Sequence, residues 1–415
     1  MSGSRIFVFA LFMVVVLGAI NVQVFRWARN AFLLEKRAAR LLKAVLIISV
    51  LGVVLGRVAV RFWPSAVTGG FVAVVSTIEL AVIISGILLL LADAARLLWR
   101  LVGRFRHRSE TLPPPSPVAV PALPATPEVP RRLFLTRATA GSAFLIGSSS
   151  SLYGALKGRS DYSVEDVPLV IPGLSRGLSG FTIAQLSDVH IGVYVGEAEL
   201  AIAEELLRRT KPDLIVLTGD LLDNDPSLAP KLGRFVRRLA PLARHGVVAV
   251  SGNHDFFAGM DEVASALRGG GAKLLRNEGL VIGDAQAGFS LLGVDDVWAR
   301  REGGGPDLQR AVASLPRMGG LVAPARDLPR VLLCHNPSFF EEAAGHVALQ
   351  MSGHTHGGQV NLGIRPADYL LPGGWVAGRY DMAGSMLYVN RGFGTVGPPA
   401  RLGAPPEVTR IVLTA

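Results

Sequence analysis

Apolar runs divide the chain into two halves with different spacing. In the first, Ile6–Phe25, Ala44–Val60 and Phe71–Ala92 are apolar almost without interruption. A bilayer core is crossed by about 20 helical residues, so each run predicts a membrane-spanning helix. From Phe181 onward the apolar runs shorten to strand length and alternate with helical spacing. Strands are predicted at Phe181–Leu186, Leu214–Leu217, Val247–Val250, Val331–Leu333, Val347–Met351, Met386–Val389 and Thr409–Leu413, with Leu280–Ile282 and Phe289–Gly293 as a hairpin. Glu199–Arg209 gathers Leu200, Ala203, Leu206 and Leu207 on one helical face. Leu232–Leu242 predicts a second helix, and Ala264–Leu267 falls within a short third. Strands alternating with helices make this half an α/β domain.

Composition and charge sharpen the division. Half of the 415 residues are hydrophobic, with a mean hydropathy of +0.41, as membrane segments would produce. The net charge of +10 is unevenly placed: residues 1–157 hold 18 Lys+Arg against 5 Asp+Glu, and the remainder holds 24 against 27. The surplus therefore belongs to membrane topology, and a basic nucleic-acid groove in the α/β half is not expected. The single Cys334, inside an apolar run, rules out an internal disulfide and reads as a buried structural thiol.

Positive charge favours the cytoplasmic side of a membrane. The segment Arg26–Lys43, rich in Lys and Arg, and the arginines Arg96 to Arg108 are therefore expected there, with uncharged Trp63–Gly70 outside. Arg57 and Arg61 lie at the outer end of the second span, where they can snorkel. Glu79 lies inside the third span, as a functional group or as a carboxyl paired between helices.

Domain boundaries follow. A membrane region with three transmembrane helices is expected over 1–108. A Pro-rich, semi-rigid linker over 109–130 has eight prolines in Pro113–Pro130. Residues 131–157 hold Arg131-Arg132-Leu133-Phe134-Leu135-Thr136 and the small-residue apolar stretch Ala138–Leu156. They resemble a twin-arginine export signal set inside the chain. Plain positive-inside anchoring of a fourth span is the other reading. Either puts the remaining domain, 158–415, outside the cytoplasm; without a fourth crossing it would be cytoplasmic.

The chemistry gathers at strand ends. Strands run into Ser187-Asp188-Val189-His190, Gly219-Asp220-Leu221-Leu222-Asp223, Gly252-Asn253-His254-Asp255, Cys334-His335 and Gly353-His354-Thr355-His356. Ends on one edge of an open α/β sheet lie side by side, where such folds bind ligands. Asp, His and Asn donors of intermediate softness fit Mn, Fe or Zn better than Mg or Ca. They exceed what one tetrahedral ion takes. Two ions about 3.5–4 Å apart, sharing a carboxylate, would use them all and let a bridging hydroxide attack phosphorus. A histidine left over would protonate the leaving alkoxide.

In this order D-x-H, G-D-x-x-D, G-N-H-D, H and G-H-x-H resemble the signature of the calcineurin-like metallophosphoesterase superfamily. GNHDFFAG, HNPSFF, SGHTHGGQV and YVNRGFG resemble its bacterial membrane-associated branch. The resemblance covers about Gly173–Ala415 and implies a four-layer α/β/β/α sandwich. It implies that Asp188, His190 and His356 hold one metal, that Asn253, His335 and His354 hold the other, and that Asp220 bridges them. His254 would be the acid, oriented by Asp255. Asp223 stands where purple acid phosphatases carry an iron-binding tyrosine, which argues against that subgroup. Asp223 and Asp225 otherwise read as side chains supporting the Asp220 ligand or, the favoured reading, as plain loop residues.

Arg391 is a substrate-side expectation, since a guanidinium fork suits phosphate. The whole reads as a membrane-anchored phosphoesterase with two divalent ions, Mn first and Fe or Zn as alternatives. It would act on phosphodiester or pyrophosphate bonds of a lipid-linked or envelope substrate from the bacterial cytoplasmic membrane, its catalytic domain extracytoplasmic. No nucleic acid and no protein partner are expected. A cytoplasmic-facing nucleotide-sugar-lipid pyrophosphohydrolase and a non-catalytic membrane sensor or scaffold are the alternatives.

Overall fold

The computed structural model describes residues 3–63, 65–106, 130–283, 287–315 and 327–415. The expected linker, apart from Pro130, lies outside them. Contacts divide the chain into two units, Met1–Leu152 and Tyr153–Ala415.

The first unit is helical: α1 (Gly3–Phe32), α2 (Lys36–Phe62), α3 (Ala66–Arg106) and the start of α4 (Arg131–Leu156). Stretches of α1, α2 and α3 are long and apolar enough to cross a membrane, Leu11–Phe32, Lys36–Gly56 and Val67–Gly103. Each helix runs past the predicted apolar run, because Lys and Arg are good helix formers that end an apolar stretch without ending a helix. Small residues set the packing. A Cβ at Gly52 would touch Val75, one at Gly86 would meet Ile20, and one at Gly147 of α4 would meet the Ala81 carbonyl of α3. Val24, Trp27, Ala31, Leu46, Val82, Leu89, Ala140 and Ala143 form the shared core. Glu79 is buried and accepts from Asn21 Nδ2 at 2.7 Å and Ser49 Oγ at 2.6 Å, so it is paired between helices.

The second unit holds two six-stranded sheets. Its strands are β1 (Ser163–Val170), β2 (Phe181–Leu186), β3 (Leu214–Thr218), β4 (Val247–Val250), β5 (Ala272–Leu274), β6 (Glu278–Gly283), β7 (Gly288–Gly293), β8 (Arg330–Leu333), β9 (Leu349–Ser352), β10 (Gly378–Met382), β11 (Ser385–Val389) and β12 (Glu407–Thr414). One sheet has the order β1-β12-β2-β3-β4-β5 and the other β10-β11-β9-β8-β7-β6. Strands β2 to β5 run parallel, as do β7, β8, β9 and β11. The strands β1, β5 and β10, absent from the sequence expectation, are sheet edges or short, with weaker apolar patterning.

Alternate residues serve opposite faces. Ile183, Val216, Val248, Leu291, Val331, Leu349 and Ile411 fill the space between the sheets. Ala184, Leu217 and Ala249 face the helices α5 (Glu197–Arg209), α6 (Ala229–Leu239) and α8 (Met260–Gly269). The short α7 (Asn253–Ala258) precedes α8. On the other side Leu292 and Leu332 pack with Ala311 of α9 (Leu308–Ala313) and Ala343 of α10 (Phe340–Ala343). The result is the α/β/β/α layering that the resemblance implies. Strands buried on both faces read as continuous apolar runs, which is why the parallel strands were legible.

Candidate metal centre

The polar residues following β2, β3, β4, β8 and β9 converge. His190 Nε2 and His356 Nε2 are 3.2 Å apart, and His356 Nε2 is 3.3 Å from Asp188 Oδ1. His335 Nε2 lies 3.1 Å from Asp220 Oδ2 and 3.2 Å from His354 Nδ1. Asp220 Oδ2 is also 3.7 Å from His190 Nε2. Three overlapping groups result: Asp188, His190 and His356; His190, Asp220 and His254; Asp220, His335 and His354. Asp220 is thus shared between neighbouring groups.

The backbone is bent to achieve this. Asp188, His190, Asp220, His354 and His356 all take left-handed φ values between 50° and 74°. Such conformations cost energy in non-glycine residues and concentrate at functional sites. Two glycines permit the close approach. A Cβ at Gly353 would collide with Ser187 Oγ and Asp188 Oδ2, and one at Gly252 with the Asp220 carboxylate. Across these gaps, the His354 N–H donates to Asp188 at 3.0 Å and the His254 N–H to Asp220 Oδ1 at 2.8 Å.

Electrostatics favour a cation here. Asp188 and Asp220 are buried, and among the described residues neither has a Lys or Arg within ion-pair distance. Buried carboxylates require a compensating positive charge. Burial holds His190 down at about 3, and burial with Arg401 nearby holds His356 well below its ordinary value, so both offer neutral nitrogens. At His335 burial acts downward, yet the Asp220 carboxylate outweighs it and pushes the imidazole well up. The space between these two side chains therefore favours positive charge. His335 Nδ1 faces the Thr218 carbonyl at 2.8 Å, which leaves Nε2 for a ligand. The buried Oδ1 of Asn253 has no hydrogen-bond partner among the described residues. An orphaned buried carbonyl oxygen on the residue before His254, whose N–H bonds Asp220, fits a metal pair, and this donor set suits Mn, Fe or Zn.

Some expected residues have other partners. Asp255 is turned away from the His254 ring. It caps α7, accepting from Gly252 N at 2.9 Å, and also from Leu221 N at 2.9 Å and Leu222 N at 3.1 Å. Its carboxyl is raised to about 7 by burial and by the nearby Asp220. The carboxylate beside His254 is Asp223, read from sequence as a loop residue. His254 Nδ1 lies 2.7 Å from the Asp223 carbonyl and 3.4 Å from its Oδ1. Burial lowers His254, but Asp223 and Asp220 together outweigh it and push the ring up to about 9, favouring the protonated form. The second carboxylate of G-D-x-x-D was the available signal. Arg391 gives its guanidinium to Glu165 at 2.6 Å and Glu407 at 2.7 Å, so its fork is occupied within the sandwich.

Arg401 was not singled out from sequence. It is 1% exposed and donates to the carbonyls of Arg391, Gly392, Gly394 and Ala404, with Nη2 3.1 Å from His356 Nδ1. It therefore braces the segment Arg391–Gly394, whose Gly394 N–H donates to the Asp188 carbonyl at 2.7 Å. No motif marks it.

Comparison with known proteins gives a match to the family model "Calcineurin-like phosphoesterase" over residues 181–358. A Bacillus subtilis protein, "Uncharacterized metallophosphoesterase YkuE", is 31% identical over 251 residues, covering 58% of this chain and 81% of that one. An Aquifex aeolicus "Uncharacterized metallophosphoesterase" is 31% identical over 232 residues, covering 56% and 84%. A zebrafish (Danio rerio) "Transmembrane protein with metallophosphoesterase domain" is 29% identical over 287 residues, covering 65% of this chain. The match spans 62% of that zebrafish protein and 62% of its bovine counterpart, under two thirds of each.

Proposed function

We propose, for a chain that belongs to the calcineurin-like phosphoesterase family, a membrane-anchored dinuclear-metal phosphoesterase that hydrolyses phosphodiester or pyrophosphate bonds. The observation that carries this reading is the position of Asp220, whose carboxylate belongs at once to the His190 group and to the His335–His354 group. Asp188, His190 and His356 would hold one ion, Asn253, His335 and His354 the other, and Asp220 both. When bound, the ions, Mn first and Fe or Zn as alternatives, supply Lewis acidity and an activated water for in-line attack on phosphorus.

The chain's own residues do the rest. Buried Asp188 and Asp220 fix the negative charge of the site, and Thr218 and Arg401 hold the rings of His335 and His356 in place. His254, anchored through Nδ1 on Asp223, keeps a proton on Nε2 for the departing alkoxide. The Mn²⁺-loaded full chain is expected to hydrolyse bis-p-nitrophenyl phosphate, and the metal-stripped chain is not. Loss of a general acid costs typically 10²–10⁴-fold. His254→Ala should therefore reduce cleavage of an alkyl phosphodiester by about that much, and that of a p-nitrophenyl ester, whose leaving group needs no proton, far less. Equal losses on both substrates would remove His254 from this role.

The apolar helices and the naming of the zebrafish and bovine relatives as transmembrane proteins support a membrane anchor. Exposed Ile364, Tyr369 and Leu370, on the segment after His356, offer an apolar surface to a lipid-linked substrate. The cations at the α1–α2 turn and at the start of α4 support an extracytoplasmic catalytic domain in a bacterial cytoplasmic membrane. A reporter fused to the C-terminus and active only outside the cytoplasm should then be active; a fusion active only inside would reverse the orientation.

A further inference from the structure

The helical unit contains a cavity of about 670 Å³ at the ends of α1 and α3 and the start of α4, with both apolar and charged lining. Arg26 of α1, Arg96 and Arg100 of α3, and Arg132 of α4 all line it. Its carboxylate, Asp93, is already engaged: Trp27 Nε1 donates to it at 3.0 Å and Gln23 Nε2 at 2.5 Å. Arg96 stacks on the Trp27 ring at 4.2 Å and lies 3.8 Å from Asp93. Arg26, Arg100 and Arg132 have no carboxylate within ion-pair distance among the described residues. Gln23, Trp27 and Asp93 thus form a hydrogen-bonded part of the wall, and the charge of the lining is predominantly positive.

Membrane topology alone does not require this convergence. Cations need only lie on the cytoplasmic side, as Lys36, Arg37, Arg40 and Lys43 do while facing outward and lining no part of the cavity. Here arginines from three separate helices point at one space. Leu135, which lines the cavity, and Leu97, Leu98 and Trp99, between Arg96 and Arg100 on α3, are exposed, Trp99 by 80%. Exposed leucines with an exposed Trp mark the level where acyl chains give way to headgroups. Guanidinium groups bind phosphate oxygens through paired hydrogen bonds, and basic pockets between membrane helices suit anionic headgroups. The volume lies within the range of small-ligand sites, about 300–1,000 Å³.

We propose that this cavity seats the phosphate of an anionic membrane phospholipid, with the acyl chains along the exposed apolar faces of α3 and α4. The site rests on the helices lying in a bilayer and uses none of the metal ligands. Loss of hydrolysis therefore leaves it standing, and its own failure leaves the phosphoesterase reading intact.

The test is binding to the full-length protein in detergent, read by native mass spectrometry and by thermal shift. The probes are phosphatidylglycerol, phosphatidylcholine and inorganic phosphate. Phosphatidylglycerol should be retained and raise the melting temperature, and phosphatidylcholine should do neither. Replacing two of the four cavity arginines, Arg100→Gln with Arg132→Gln, should weaken phosphatidylglycerol binding about 30-fold, as expected for losing two cations near an anionic group. The pair Arg37→Gln with Arg40→Gln makes the same change in net charge away from the cavity and should leave binding unaltered. Helix content by circular dichroism checks that each variant is folded. Equal retention of phosphatidylcholine would overturn the proposal, as would equal weakening by the two pairs. Inorganic phosphate protecting as well as the lipid would make this a site for soluble phosphate and would also overturn it.

Discussion

Asp220→Asn is expected to lower phosphodiester hydrolysis on the order of 10³-fold and to reduce the metal held per chain. The substitution is nearly isosteric. Its amide oxygen can still accept the His254 N–H that Asp220 Oδ1 accepts at 2.8 Å, so the turns after β3 and β4 stay joined. What disappears is the negative charge that lies 3.1 Å from His335 Nε2 and 3.7 Å from His190 Nε2, shared by two ligand groups. A neutral amide cannot bridge two cations as a carboxylate does. Several kcal/mol of transition-state charge stabilisation should be lost with the second ion, and about 4 kcal/mol corresponds to three decades in rate. Metal analysis and kcat/KM on bis-p-nitrophenyl phosphate, measured on the same preparation, check both parts. A variant that kept its full metal content and came within tenfold of the wild-type rate would place the bridge elsewhere.

Arg401→Met should be the most damaging substitution outside the ligand set. Methionine can fill much of the volume but offers no donor. The carbonyls of Arg391, Gly394 and Ala404 would be left buried without their partner, Gly392 would keep only the Glu407 N–H, and His356 Nδ1 would lose its neighbour. Each buried unsatisfied group costs about 1–3 kcal/mol, and partial relaxation brings the sum to about 3–5 kcal/mol. For a unit of this size that is a fall in Tm of roughly 10 °C, measured on the detergent-solubilised full chain. Metal affinity should fall with it, because the Arg391–Gly394 segment packs on the Asp188 turn. A variant melting within a degree or two of wild type would show that the carbonyls find other donors.

Much of the centre was legible because its residues follow short apolar strands that parallel sheets bury on both faces. Asp188, Asp220, Asn253, His335 and His356 could be placed at strand ends from that pattern alone, and parallel strands bring such ends to one edge. What sequence spacing does not carry is the direction of a side chain within a turn. Asp255 follows His254 directly, yet it points to the Leu221 and Leu222 amides because it caps a short helix that the apolar pattern does not reveal. Asp223 reaches the His254 ring only through the packing of two turns. Arg391 meets Glu165 across 226 residues of chain, and Arg401 meets backbone carbonyls, which leave no trace in residue type. In the helical half, the spans were visible as apolar runs. The helix ends were not, since Arg and Lys continue a helix beyond its apolar portion.

The central claim is that these strand ends grip two cations around one shared carboxylate. Electron paramagnetic resonance of the Mn²⁺-loaded full chain tests it most directly. An exchange-coupled signal from a metal pair, appearing as the second equivalent binds and lost in Asp220→Asn, is the predicted result. A spectrum of isolated Mn²⁺ ions at full loading, in a protein that nonetheless hydrolyses its ester, would contradict the account.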